Sequence, residues 1–214
     1  MEGTEKPRTH VYVDAFNLYY GALKGSRFKW LNLKALSDLL LPQHDVRSIK
    51  YFTALVSAWP HDPDQPQRQQ LYLRALRTLP EVEIVYGHYL SHAVWMPLAC
   101  TTGTQPEKAR VIKTEEKGSD VNLATHLLCD AFADQYDTAV IISNDSDLLL
   151  PIQIVRSRFG KKIGILNPHR HHPSRALLPH VDFVKTIRKG VLAASQFPPT
   201  LRDNFGEFHK PPTW

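Results

Sequence analysis

The sequence predicts an α/β fold: a three-layer α/β/α arrangement around a mostly parallel central sheet, with a β-hairpin arm added to it. Three observations carry this. Short apolar β-runs alternate with helical apolar spacing over most of the length, the signature of βαβ units. One such run, Ala139-Val140-Ile141-Ile142, ends in an unbroken polar burst, Ser143-Asn144-Asp145-Ser146-Asp147, before helical spacing resumes at Leu148, Leu149, Ile152 and Val155. Between His92 and Lys113 the alternation stops, and two β-like runs flank T-T-G-T-Q-P-E-K.

With 214 residues the chain has length for one sizeable core and is short for two. The organisation expected is a disordered lead-in at 1–9, a single domain at 10–194 and an extended tail at 195–214. No apolar run approaches the roughly 18 residues of a membrane span, and the first ten residues hold no signal-peptide core, so a cytoplasmic protein without a membrane partner is expected. Cys100 and Cys129 form no C-x-x-C pair, which leaves a zinc ribbon or redox motif unsupported. A formal net charge of +5 and a pI of about 9.2 favour a polyanionic partner such as nucleic acid.

In chain order, His10–Phe16 reads as a first strand, with Val11 and Val13 on one face, Tyr12 on the other and Asp14 at its carboxyl end. Asp14 or Asn17 can cap the helical turn that follows. A helix over 31–41 ends at Pro42. A second strand spans 46–57, and a proline-dense loop, Trp59–Pro66, leads to a helix at 67–79 and a third strand at 82–90. The arm consists of 94–98 and 109–113. Lys108, Arg110 and Lys113 make its second limb basic, either as a solvated limb or as a phosphate-contacting one. Gly118 and Ser119 then start an amphipathic helix with apolar residues at 121, 124, 127, 128 and 131. Asp120 lies on its first turn near the buried side, where the helix dipole favours a carboxylate. After the central strand and helix come a strand at 161–166, the basic loop N-P-H-R-H-H at 167–172, a short helix at 174–178, a strand at 182–185 and a helix at 187–194. The histidines lack separated ligand pairs, so a surface loop, basic enough to touch phosphate, is a better reading than zinc.

Ligands bind at the carboxyl ends of strands in open α/β sheets. Right-handed crossovers put the ends carrying Asp14 and Asp145 on one edge, and Asp120 enters from the helix preceding the central strand. Asp147 either caps its helix or joins them. Four carboxylates together repel by several kcal/mol unless a cation offsets them. Their hard oxygens suit Mg²⁺ or Mn²⁺, and metal carboxylate sites activate water against phosphodiesters. Lys113, Lys117, Lys162 and Arg170 are candidate phosphate contacts. No Walker A, G-x-G-x-x-G or G-x-S-x-G sequence is present, so the nucleotide-triphosphate, dinucleotide and α/β-hydrolase readings lack their fingerprints.

At V-Y-V-D-A-F-N-L-Y-Y (11–20), E-E-K-G-S-D-V-N-L-A (115–124), S-N-D-S-D-L (143–148) and G-K-K-I-G-I-L-N-P, the chain resembles the NYN domain family of the PIN-like nuclease superfamily, and most of all its LabA-like branch. The resemblance covers roughly 8–190. It implies a PIN-like fold and a Mg²⁺- or Mn²⁺-dependent endoribonuclease, with Asp14, Asp120, Asp145 and Asp147 on the family's acidic positions, Asn17 on its polar neighbour, and Glu116 as a further carboxylate. Asn144 stands where a small residue such as Gly is common. The expected reaction is attack of water on phosphorus, leaving a 3′-hydroxyl and a 5′-phosphate. A non-catalytic RNA-binding or regulatory module that retains the metal pocket is the alternative, and a phosphatase for a small metabolite a third. The arm gives a homodimer a means of forming.

Overall fold

The structure, a computed structural model, describes residues 5–99, 108–169 and 173–214. Its elements are β1 (Arg8–Asp14), α1 (Ala15–Leu18), α2 (Leu33–Leu40), β2 (Asp45–Thr53), α3 (Gln65–Leu76), β3 (Val82–Tyr86), β4 (His88–Pro97), β5 (Lys108–Lys117), α4 (Ser119–Phe132), β6 (Thr138–Ile142), α5 (Leu149–Phe159), β7 (Lys162–Asn167), β8 (Phe183–Thr186), α6 (Lys189–Ala194), β9 (Thr200–Asp203) and β10 (Gly206–His209). Six strands form a parallel sheet in the order β3-β2-β1-β6-β7-β8. The order reverses between β1 and β6. In open α/β sheets such a reversal, where the crossovers leave to opposite sides, is where a ligand crevice forms beyond the strand ends.

The alternation along β1 divides the core as the sequence implies. Val11 and Val13 pack with Leu33 and Leu36 of α2, Leu73 and Leu76 of α3 and Leu192 of α6. Tyr12 faces the other layer, with Leu123 and Leu127 of α4 and Ile152 and Val155 of α5. β6 is buried along its whole length, as a central strand covered on both faces must be. The fold is therefore three-layered, α/β/α.

Several boundaries differ from the sequence reading. β1 begins at Arg8, inside the expected lead-in, because Arg8 is held by Asp137 at 2.7 Å; residues 1–4 lie outside the described set. The expected strand over 82–90 is divided at Gly87. A Cβ there would stand 2.5 Å from Glu116 Oε1 and 2.6 Å from the Lys117 carbonyl, so glycine lets the chain leave the sheet against the root of β5. The arm is accordingly longer than expected, an antiparallel ribbon pairing His88 with Lys117 at its root and Pro97 with Lys108 outward. Residues 174–178, read as a short helix, form turns, with a single 3₁₀ turn at Leu178–His180.

The segment after Ser195 also departs from an extended tail. β9 and β10 pair antiparallel. Phe197 and Phe208 are buried in the main core against Trp30, with ring centroids 5.8 and 6.4 Å away, and Trp214 stands 6.3 Å from it. The Trp30 indole donates to the Pro198 carbonyl at 2.9 Å. Arg74 binds both carboxylate oxygens of Asp203 at 2.7 Å. An apolar anchor and a bidentate ion pair thus fasten this segment to α3.

Trp30 is fully buried at the centre of that anchor. Trp30→Ala should cost about 3–5 kcal/mol, read as a lower denaturant midpoint. Limited proteolysis should cut the variant after Ser195 well before the parent; simultaneous digestion of both would refute this anchoring.

Candidate functional site

The site begins with one buried carboxylate. Asp14 ends β1 and is only 6% exposed. Its Oδ1 accepts the Asn17 backbone N–H at 2.9 Å, capping α1, and its Oδ2 accepts the Ser143 hydroxyl at 3.1 Å. Val13 pairs with Ile142, so Ser143 is the first residue past β6 to come level with Asp14. The Ser143 hydroxyl also accepts the Asp145 N–H at 3.1 Å, and Asp145 Oδ1 accepts the Asp147 N–H at 3.0 Å. The polar burst is thus a wound turn that caps itself. Asp145 is half-buried and Asp147 is exposed.

Side chains from two further loops fix this turn. Asn17 Oδ1 accepts the Asn144 N–H at 3.0 Å and lies 3.0 Å from His169 Nε2. Asn144 Oδ1 accepts the Ser174 N–H at 2.7 Å, which gives its amide a task that glycine could not perform. His169 also lies against Gly21, where a Cβ would come within 3.1 Å of its ring. Gly21 belongs to a widened π-type turn, Tyr19–Leu23, that continues α1; such turns recur at functional sites.

The third contribution comes from the root of the arm. Gly118 (φ +97°) turns the chain into α4, and the Glu116 carboxylate accepts the Ser119 N–H at 3.1 Å, so Glu116 rather than Ser119 caps the helix. Asp120 is exposed at the rim, not on the buried side that the helical spacing suggested; Ser119, Leu123 and Leu127 occupy that side. Yet its carboxyl is pushed up to about 6, first by desolvation and then by the charges of Asp14, Asp145, Glu116 and Asp147. Asp14 is raised as well, by burial above all and by Asp145, against hydrogen bonds that pull it down. The acidic residues singled out in the sequence therefore share one field at the carboxyl ends of β1 and β6.

That donor set suits a hard divalent cation in kind and in charge. Each carboxylate oxygen already accepting a hydrogen bond keeps a second lone pair. Among the described residues, no three His, Cys, Asp or Glu side chains converge closely enough to hold a metal as they stand.

The basic candidates divide. Lys113 and Lys117 both bind Glu115, at 2.5 and 3.3 Å, on the ribbon face opposite Glu116. Lys162 starts β7, opposite Thr138 at the start of β6, and is thereby at the far edge of the sheet; the structure does not bring it to the crevice. Arg170 lies outside the described residues, as do His171 and His172. Aromatic rings form the wall instead. Phe16 meets Tyr89 edge-on at 5.9 Å, and Tyr89, near Tyr20 and Glu116, has its hydroxyl pushed up to about 12, mostly by burial. His169 and this wall were missed. The only signal for His169 was its place in a polar loop at a strand end, and the wall depends on pairing across β4 and β5.

The sign of the Asp120 shift gives a test. Its carboxyl titrates near 6 folded against a usual 3.8, so between those values the folded state holds a proton that the unfolded chain has lost. Stability therefore falls as pH rises through that window, and the penalty is complete above about pH 6. In divalent-free buffer, Asp120→Asn should raise the melting temperature by up to a few degrees near neutral pH and leave it unchanged below the window. A lower melting temperature at neutral pH would mean that the carboxylates do not repel.

Comparison with known proteins bears on the fold and the family. The chain is 32% identical over 225 residues to 6-hydroxy-3-succinoylpyridine 3-monooxygenase HspA of Pseudomonas putida (strain DSM 28022 / S16), covering 91% of this chain and 72% of that protein. The crystal structure of VPA0982, a protein of unknown function from Vibrio parahaemolyticus RIMD 2210633, superposes with a TM-score of 0.57 at 18% identity, over 88% of this chain and 98% of that one, and so shares the fold. Among the described residues no helix is long and apolar enough to cross a membrane. The NYN domain model matches residues 8–185, the span that holds the sheet, the arm and every carboxylate of the crevice: the chain belongs to the NYN domain family, a PIN-like nuclease fold whose nucleases usually use divalent metals.

Proposed function

We propose that the protein is a Mg²⁺- or Mn²⁺-dependent ribonuclease that hydrolyses RNA phosphodiester bonds in the crevice between β1 and β6. One observation carries the reading: Asp14, Asp145 and Asp147 at the strand ends and Glu116 at the root of the arm stand near enough to Asp120 for their charges to add to desolvation in raising its carboxyl. Proteins seldom assemble unneutralised like charges unless a ligand uses them. Asp14, Asp120 and Asp145 are the residues that would hold the cation, with Asp147 as a further ligand or as the group that orients water. When bound, such a cation acidifies water and stabilises charge on phosphate oxygens.

The chain's own residues supply the rest. Asp14 is locked by its two hydrogen bonds and presents a fixed carboxylate. Asn17 and Asn144 hold the turn so that Asp145 keeps its place. Asp147, exposed on that turn, is open to the cation or to the water it would orient. The net charge of +5 favours approach of a polyanion.

A second reading is favoured by the HspA relative, whose name describes oxygenation of a substituted hydroxypyridine. A flat heterocycle would fit beside Phe16 and Tyr89.

One experiment separates the two. Labelled single-stranded RNA is incubated with Mn²⁺, Mg²⁺ or a chelator, with Asp145→Asn in parallel. Cleavage should require the metal and fall more than about 100-fold in the variant, beyond the 10- to 100-fold typical of losing an outer-shell partner, while RNA binding persists. In a parallel arm, oxygen uptake is followed with 6-hydroxy-3-succinoylpyridine and a reduced nicotinamide. Pyridine-dependent uptake without RNA cleavage would replace the nuclease reading with the second.

A further inference from the structure

Side chains alternate between the two faces of a strand, so the register of the arm assigns each residue to a face. Tyr89 and Glu116 form one cross-strand pair, and both belong to the crevice: Tyr89 packs on Phe16 and Glu116 caps α4. Moving outward, the same face carries Ser91 with Thr114, Ala93 with Ile112, Trp95 with Arg110 and Pro97 with Lys108. Trp95 is 67% exposed, an unusual position for an indole in water, and Ile112 beside it is 78% exposed. Neither Arg110 nor Lys108 is held in an ion pair with any described residue. Lys113 and Lys117, on the other face, are both ion-paired with Glu115. The face that leads to the carboxylates thus carries the unpaired cations and the exposed indole.

We propose that this face of the arm is a track for single-stranded RNA, on which Trp95 stacks against a base while Arg110 and Lys108 contact phosphates. The proposal rests on the reading of the crevice as an RNA site and adds to it a substrate class. Six residue steps separate Tyr89 from Trp95, about 20 Å at roughly 3.3 Å per residue. Only a strand of several nucleotides reaches both the carboxylates and the indole. Bases within a duplex are stacked on each other and cannot engage Trp95, so the track favours unpaired RNA. Charge decides for RNA over a second copy of this chain, because two such faces would bring Arg110 and Lys108 against their own counterparts.

The test measures binding of full-length protein to a labelled single-stranded oligoribonucleotide long enough to span the arm, in chelator, beside a dinucleotide and a duplex. Trp95→Ala should weaken binding of the long strand on the order of tenfold and Trp95→Phe much less. Binding of the dinucleotide should be the same in both. Removing Lys108 and Arg110 together should lower the slope of log affinity against log salt by about 1.4, at roughly 0.7 per single-strand phosphate contact. Unchanged melting temperatures verify that the variants are folded. Unaltered long-strand binding in Trp95→Ala would overturn the track even if metal-dependent cleavage is present. A drop in molecular mass by light scattering in Trp95→Ala, with RNA binding intact, would overturn it in favour of an interface between copies. Absence of cleavage with every metal would count against the nuclease chemistry and leave the track to be judged by binding alone.

Discussion

Everything at the crevice depends on how Asp14 is held. A carboxylate that is nearly fully buried is costly unless its oxygens are satisfied, and this one is satisfied from both sides: the Asn17 amide of its own helix and the Ser143 hydroxyl past β6. The first caps α1, and the second ties the carboxyl ends of adjacent parallel strands that are separated by well over a hundred residues of chain. Together they fix the registration of α1 with the 143–147 turn, and through that turn the positions of Asp145 and Asp147. Were β6 shifted by one residue, its apolar run would reverse faces and Ser143 would no longer meet Asp14.

The sheet and its acidic edge were legible in the sequence because both are encoded locally. Apolar runs with β-branched residues mark β1 and β6, and the residue ending each run must lie at the carboxyl edge, which places Asp14 and Asp145 without tertiary knowledge. The same rule excludes Lys162 from that edge, since it begins its strand. What was not legible depends on register or on distant partners. Whether Lys113 or Arg110 faces the crevice is settled by pairing across β4 and β5, and single-strand patterning does not supply it. The burial of Phe197 and Phe208 follows from meeting Trp30, far away in sequence, while the prolines around them suggest an extended chain. The division of the third strand turns on a steric contact at Gly87 that composition cannot show.

The arm illustrates how a fold acquires a surface that its sheet does not need. A two-stranded ribbon has no covering layer, so its apolar residues remain in water, at a cost that the rest of the molecule must offset. Its root, however, is part of the structure: Tyr89 packs on Phe16, and Glu116 caps the helix that carries Asp120. The ribbon is thus anchored at the crevice and free beyond it. A movement of the arm would be felt first at the start of α4, one residue from Asp120.

Helix α4 contains its own control for the meaning of the acidic cluster. Asp130, ten residues beyond Asp120 on the same helix, is half-buried, and burial alone would raise its carboxyl. Instead, His10 at 3.5 Å, Lys50 at 2.6 Å and the Tyr12 hydroxyl at 2.7 Å hold it well below the usual carboxylate range. That is how this fold treats a carboxylate whose task is structural: it surrounds it with donors. Asp120 receives the opposite treatment: besides desolvation it meets four like charges, and it forms no ion pair among the described residues. Two carboxylates on one helix thus differ: one is held by donors of the protein and the other is left in a negative field. A bound cation, as the proposed function requires, would offset the field around Asp120.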